Sequence, residues 1–466
     1  MSLNKSKRTI LGAAVSKGMA EVTKELDEYK EYRNDTPSYV EAIPEFADMG
    51  GVLIAYPGTV APAEPQLAPS GPRSFGIPNE LIVRMQQNQT SDPVHIFVMC
   101  ADESEKQNIA KDLEKTAEEL GLTFNPEHLH IVPWDTDTFW TRDYGPWWIK
   151  NKETGYYGIA KHTYTTLGGG EVGLVEGAEG VDPKEGLGIF RPNDDYGAVK
   201  FSDFLNNPIR RWNKARWHTS DTDKNGSAQL KPIPVHNFYY LGLLDVGGNY
   251  MVDGQGNIAS TYLVATQNEL PVKAQSDLKQ VSQDEINKRM DYVLEQLNRF
   301  MGIQSYRVLQ DPTGTYIGHI DCWGKFLSEN KVLVARSEDP EINKKLNAIS
   351  DQFEQWNYSV YRVMCQNMYI PNADEPSTTA AYTNSLILNN HVYVPLSGEG
   401  YEKYDEDALN AYRQALPGYD VVGIKCKPEF PWLGTDAMHC RTRAVPRDVI
   451  NNWLASLKPQ HPTVTK

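Results

Sequence analysis

The sequence predicts a mixed α/β fold in which repeated strand–strand–helix–strand units close into a ring. Three observations carry this. The unit recurs at roughly 60 to 70 residues through the middle and end of the chain. About five copies can be counted, and a ring, unlike an open stack, needs no capping repeats. Within each copy the apolar spacing changes from a strand period to a helix period.

The elements follow in chain order. Residues 1–44 are expected to be an extension, partly helical or disordered. Its stretch KSKRTILGAAVSKGMA has a basic start and a short apolar core, but Lys17 interrupts that core, which argues against a cleaved leader. A single domain is expected over 45–455, with a tail at 456–466. VHIFVMC, a helix and LHIVPW form one unit, whose leading hairpin is shared with the C-terminal end. WTRDYGPWWIKNKETGYYGIAKH opens the next, and its helix is expected beyond an insertion at 168–235. That insertion starts Gly-rich and acidic, as a surface loop does, with a substrate-covering lid as the alternative. Its later stretch RRWNKARWH reads as a solvated helix, with a substrate-entry surface as the alternative.

The third unit has LDVGGNYMVDGQGNIASTYLVAT as strand, Asp-Gly turn and strand, DEINKRMDYVLEQLNRFM as helix and SYRVLQ as strand. The fourth has GHIDCWGKFLSENKVLVAR, then INKKLNAISDQFEQW, then YSVYRVMC. The fifth has the hairpin YTNSLILNNHVYVPL, the helix DEDALNAYRQAL and the strand YDVVGIKC.

Composition excludes several classes. The chain has 466 residues, is 40% hydrophobic and carries a net charge of -15. It has no long basic stripe, so neither nucleic acid nor an anionic membrane surface is an expected partner. No apolar run is long enough to span a bilayer. Five scattered cysteines without a CxxC argue against a disulfide framework and leave room for a reactive thiol. A cytoplasmic location is expected, with secretion as the alternative. Nothing in the sequence addresses oligomeric state.

Polar residues recur where each unit begins: Asp143, Asn249, His319 with Asp321, Asn384, and Cys440. In a ring these positions face one axis. On a strand, residues two apart share a face, so His319 and Asp321 are expected to point together and Cys322 into the core. Cys440 is then expected to work with His319 rather than with its neighbour His439, which, like His236 and His391, is expected to be structural. Cys, His and Asp together would suit zinc or iron, but no paired ligand spacing is present and no metal is expected.

WTRDYGPWW, YIGHIDCWGK, YTNSLIL and MHCRTR together resemble the Porphyromonas-type peptidylarginine deiminases and, more distantly, the agmatine deiminases. The resemblance covers about residues 45 to 455. It implies a five-bladed α/β propeller, the pentein fold. It implies that Asp143 and Asp321 hold a guanidinium, His319 acts as acid and base, Cys440 is the nucleophile and Asn384 supports it. Trp140 would pack on the substrate arm, and Tyr316 and Ile317 would contact the bound arginine. The implied reaction turns arginine in peptides or proteins into citrulline and ammonia, without a cofactor and without calcium. The alternatives are agmatine deimination and a catalytically silent guanidinium-binding protein.

The chemistry is coherent. A guanidinium is planar, has five N–H donors and does not titrate, so two carboxylates can grip it and leave its carbon open to attack. A cation about 4 Å from a thiol is worth about 4 kcal/mol at an effective dielectric near 20, which lowers the thiol pKa by up to about 3. Two aspartates oppose this in the empty site, so the thiol is expected to ionise on substrate binding. Two further positions bear on substrate choice. Arg191 keeps one of a pair of arginines that hold a substrate's terminal carboxylate in the resembled family, and Ile189 stands at the other. Arg441-Thr442-Arg443 follows the nucleophile, where agmatine deiminases have Thr-Gln-Gln.

Overall fold

The computed structural model describes residues 37, 39–58, 73–87, 93–164, 191–217, 235–264, 283–313, 318–366, 379–427 and 431–458. Elements are numbered in chain order. Five separate sheets are present among them, and each joins an antiparallel pair to a parallel strand, the arrangement that a hairpin followed by a helical crossover requires.

The fourth unit shows the plan most fully. β11 (Gly324–Ser328) pairs antiparallel with β12 (Lys331–Ser337). β12 pairs parallel with β13 (Ser359–Cys365). Between them runs α6 (Pro340–Gln355), whose Asp339 cap accepts N–H bonds from Glu341 and Ile342 at 2.8 and 3.0 Å. Proline at the first helical position completes that start. Leu346, Ile349, Ser350 and Phe353 form the buried stripe that docks α6. The fifth unit repeats the plan with β14 (Leu386–Leu388), β15 (His391–Leu396), α7 (Glu402–Ala415) and β16 (Asp420–Lys425). The third has β8 (Met251–Val252), β9 (Asn257–Thr261), α5 (Gln283–Met301) and β10 (Ser305–Leu309).

The chain ends meet in one sheet. β17 (Arg443–Pro446) pairs antiparallel with β2 (Met49–Ala55), which continues parallel to β3 (His95–Met99) and β4 (Leu129–Val132). The shared hairpin expected from sequence is therefore present. α1 (Asn79–Gln86) and α2 (Glu105–Leu120) make the crossovers, and α8 (Arg447–Leu457) packs on β2. α2 stops at Gly121, whose φ of 66° is open to glycine at little cost. All seven residues of β2 are buried, as a strand covered on both faces must be.

Three expectations are corrected. The second unit, β5 (Trp148–Asn151), β6 (Tyr157–Thr163) and β7 (Asn237–Leu244), has its helix α4 (Pro192–Trp217) inside the 168–235 insertion rather than beyond it. The Gly-rich tract ahead of that helix, with Ile189, lies outside the described residues, and RRWNKARWH overlaps the helix's final turns. Val40–Ala42, assigned to the extension, forms a strand β1 on the edge of β5. Three residues are too few to show a strand period. Finally, GHIDCW is not a strand. Ile320–Cys322 is a 3-10 turn and β11 begins only at Gly324.

Candidate active site

The site residues sit on turns that precede strands, not on the strands themselves. Asp143 belongs to a single helical turn, α3 (Thr141–Tyr144), before β5. Asn249 closes the 3-10 turn 247–249 before β8. His319 leads into the turn that holds Asp321, and Cys440 lies in a turn before β17. A strand sends alternate side chains to opposite faces, whereas a tight turn can aim close neighbours at one point. Asp143, His319, Asp321, Asn384 and Cys440 are all buried, none more than 4% exposed.

Gly248 marks where they meet. A carbon added at its β position would stand 2.6 Å from His319 Nδ1, 2.8 Å from Asp143 Oδ1 and 3.2 Å from Asp321 Oδ2. The Gly248 N–H also donates to Asp143 Oδ1 at 3.0 Å, and His319 Nδ1 lies 4.0 Å from the same oxygen. Two carboxylates and an imidazole thus crowd one backbone position that only a glycine leaves open.

The sulfur adjoins this group. Cys440 Sγ is 3.4 Å from Asp321 Oδ2 and 3.0 Å from Asn384 Nδ2. Asn384 Oδ1 accepts the N–H groups of Cys440 and Ala437 at 3.1 and 3.0 Å. One amide therefore fixes the loop and touches the cysteine sulfur. Arg441 braces the loop from behind. Its guanidinium binds the Asp436 carboxylate and the Gly76 carbonyl, and lies 5.0 Å from the centres of the Phe139 and Trp432 rings. Arg443 Nε donates to the Pro146 carbonyl at 2.7 Å. Arg441 and Arg443 are thus buried braces.

Burial pushes the Cys440 thiol well above its ordinary pKa, and Asp321, Asp436 and Asp143 push it further. The expected resting thiol agrees in direction. Burial acts to raise Asp321 too, but a hydrogen bond from His439 and the charges of His439, His319 and Arg142 bring it below the usual carboxyl value. His439 is the contact that sequence reasoning missed. Its Nδ1 meets Asp321 Oδ2 at 2.8 Å and its Nε2 meets Glu45 Oε2 at 2.5 Å. Glu45 in turn holds Lys325 at 2.8 Å. The only sequence hint was the adjacency of His439 to Cys440. Glu45 and Lys325 carried none. His236 and His391 make structural contacts, to Ser202 and Asn390.

Trp140, Phe139 and Leu433 form a small apolar cluster with Cys440. The Arg191 guanidinium lies 4.8 Å from the Trp140 ring centre and donates to the Tyr164 hydroxyl at 2.9 Å. Asp194 fastens this corner by accepting the Asp137 and Thr138 N–H groups and the Thr138 hydroxyl at 2.8, 3.0 and 2.7 Å. Tyr316 and Ile317 lie outside the described residues.

The family sequence model of the Porphyromonas-type peptidyl-arginine deiminases matches residues 41–446. A relative from Legionella pneumophila (strain Paris) is 25% identical over 222 residues, and the match covers 45% of this chain and 58% of that protein. The agmatine deiminase of Medicago truncatula is 21% identical over 353 residues, 69% of this chain and 79% of that one. Among solved structures, the agmatine deiminase of Enterococcus faecalis superposes with a TM-score of 0.57 at 18% identity, covering 89% of this chain and 98% of that one. That likeness speaks to fold alone. The family match spans most of the described sheets and every turn that meets at Gly248, and the chain belongs to the Porphyromonas-type peptidyl-arginine deiminase family.

Proposed function

We propose that this protein hydrolyses the guanidinium of arginine in peptides or proteins to give citrulline and ammonia. The observation that carries the reading is the meeting of Asp143, His319 and Asp321 over Gly248, with the Cys440 sulfur 3.4 Å from Asp321. In this reading the five sheets are the blades of a closed propeller, and the turns line its axis.

Asp143 and Asp321 take the guanidinium by charge-assisted hydrogen bonds. The added positive charge offsets the carboxylates that hold the thiol neutral, the thiol's proton passes to His319, and the thiolate attacks the guanidinium carbon. The C–N bond breaks as His319 gives a proton to the leaving nitrogen, which departs as ammonia. An S-alkylthiouronium remains on Cys440. His319 then takes a proton from water, whose oxygen bonds to the carbon as the C–S bond breaks. Water is consumed, ammonia is released, and the product is a neutral urea.

Arg191 favours a substrate with a carboxylate close to its arginine. Its guanidinium lies on the Trp140 ring, within the corner that flanks the thiol. Agmatine lacks a carboxylate, and it is the second reading, because a relative spanning 69% of this chain is an agmatine deiminase.

The test compares a peptide ending in arginine, the same peptide with internal arginine, and agmatine, following ammonia and the peptide mass. Expected is turnover of the arginine peptides, with Arg191→Ala raising KM for the C-terminal arginine peptide about 10-fold or more, the loss of one hydrogen bond to a charged group. Turnover of agmatine alone overturns the peptidyl reading. Thiolate absorbance, taken as wild type minus Cys440→Ala, checks the thiol. Without substrate it is expected to rise only in the alkaline range, and a titration below about pH 6, the range of activated cysteines, overturns the resting-thiol step.

A further inference from the structure

Behind Asp321 runs a chain of contacts that this reaction scheme does not use. His439 stands between two carboxylates, 2.8 Å from Asp321 and 2.5 Å from Glu45. A neutral imidazole has one donor nitrogen and one acceptor nitrogen, and an ionised carboxylate only accepts. A bare ring nitrogen and a bare carboxylate oxygen repel at 2.5 Å, so a proton lies in the Glu45–His439 contact. A neutral ring that donates through Nε2 can only accept at Nδ1, so donation to Asp321 as well takes a second proton, held on the ring or on Glu45.

We propose that Glu45, His439 and Asp321 form a proton-holding positioning triad that keeps Asp321 ionised and aimed at the substrate guanidinium. The proposal rests on the deiminase reading above. His439 is a positioning residue in it, since it acts through Asp321, as outer partners of metal-binding carboxylates and imidazoles do.

The surroundings fit a shared proton. Burial, Arg142 and Lys325 act to strip the ring of its second proton, Glu45 and Asp321 act to keep it, and the balance leaves the His439 imidazole below its ordinary pKa. Arg142 Nη2 is 3.4 Å from Glu45 Oε2, and Lys325 Nζ is 2.8 Å from Glu45 Oε1. The Ile387 N–H donates to Glu45 Oε1 at 2.8 Å, which fixes the carboxylate against the ring. Glu45 and His439 also line a cavity of ≈ 40 Å³, whose walls include Arg142, Lys325 and Arg443. Asp143, His319, Asp321, Asn384 and Cys440 are not among its lining residues.

The experiment uses the full chain with His439→Ala, His439→Asn and Glu45→Gln. The asparagine amide stands where Nδ1 stood and can still donate to Asp321. Expected is a rise in KM of about 10- to 100-fold in His439→Ala, the loss of a hydrogen bond to a charged group, with kcat changed less. His439→Asn recovers most of it, and Glu45→Gln raises KM in the same direction as His439→Ala. Equal losses in His439→Ala and His439→Asn would mean that His439 only fills space and would overturn the proposal. A second readout needs no substrate and no folded variant. In wild-type protein labelled with 15N-histidine, His439 Nδ1 is expected to bear hydrogen, with the proton of the Glu45 contact far downfield. A bare Nδ1 in that spectrum overturns the triad. If no guanidine compound turns over, the deiminase reading falls, while this signal still judges the proton-holding contact by itself.

Discussion

Cys440→Ala is expected to release ammonia from no arginine substrate, with kcat/KM falling by at least about 10⁴-fold, the scale on which removal of a covalent nucleophile acts. The structure makes this a clean test of chemistry. Cys440 is buried, but its sulfur sits in a polar setting, between Asn384 and Asp321. Alanine leaves both in place, and the loop stays held by Asn384 and by the Arg441–Asp436 pair. Thermal unfolding is therefore expected to move little, and guanidinium binding to persist. Calorimetry with an arginine peptide checks the second point. Activity surviving in Cys440→Ala would remove the covalent mechanism.

Gly248→Ala is expected to lower kcat/KM by about 10²-fold or more while the protein still folds, since a misplacement of about 1 Å at reacting groups costs this much. The added methyl meets His319 Nδ1 at 2.6 Å and Asp143 Oδ1 at 2.8 Å, closer than real contacts allow. Gly248 is not among the glycines with a left-handed backbone, so alanine meets no backbone penalty there. The strain falls on the carboxylate and imidazole, which must move apart. Overpacking of this kind costs about 1–3 kcal/mol of stability, a fall that thermal unfolding detects without loss of the fold. Steady-state kinetics with a matched unfolding curve checks it. Unchanged kinetics would mean that the substrate does not bind over Gly248.

Much of the site was legible because its residues break local rules. Asp143, His319, Asp321 and Asn384 are polar or charged, yet each lies beside a strongly apolar strand, and they recur at one place per repeat. Cys440 stood out because its stretch MHCRTRAVP opens the unit expected to close the ring. The turn geometry was not legible, because His-Ile-Asp-Cys alternates as a strand does. Only the backbone shows that the ladder begins at Gly324, after the turn has placed His319 and Asp321 together. Likewise α4 hid in the insertion, whose glycine-rich start masked the helix that follows.

Local periodicity and residue chemistry were enough to show the repeat, the order of elements within it, and the kinds of group that meet over Gly248. The resemblance carried by four short motifs then pointed to the family. What stands behind those groups comes from the fold. Glu45 reaches His439 across 394 residues of chain, and His439 reaches Asp321 across 118. No periodicity records such contacts. They arise because the two chain ends share one sheet, β17 on β2, which brings Glu45 beside the cysteine loop. A buried charge is tolerable only with partners, and the fold alone determines which partners are within reach.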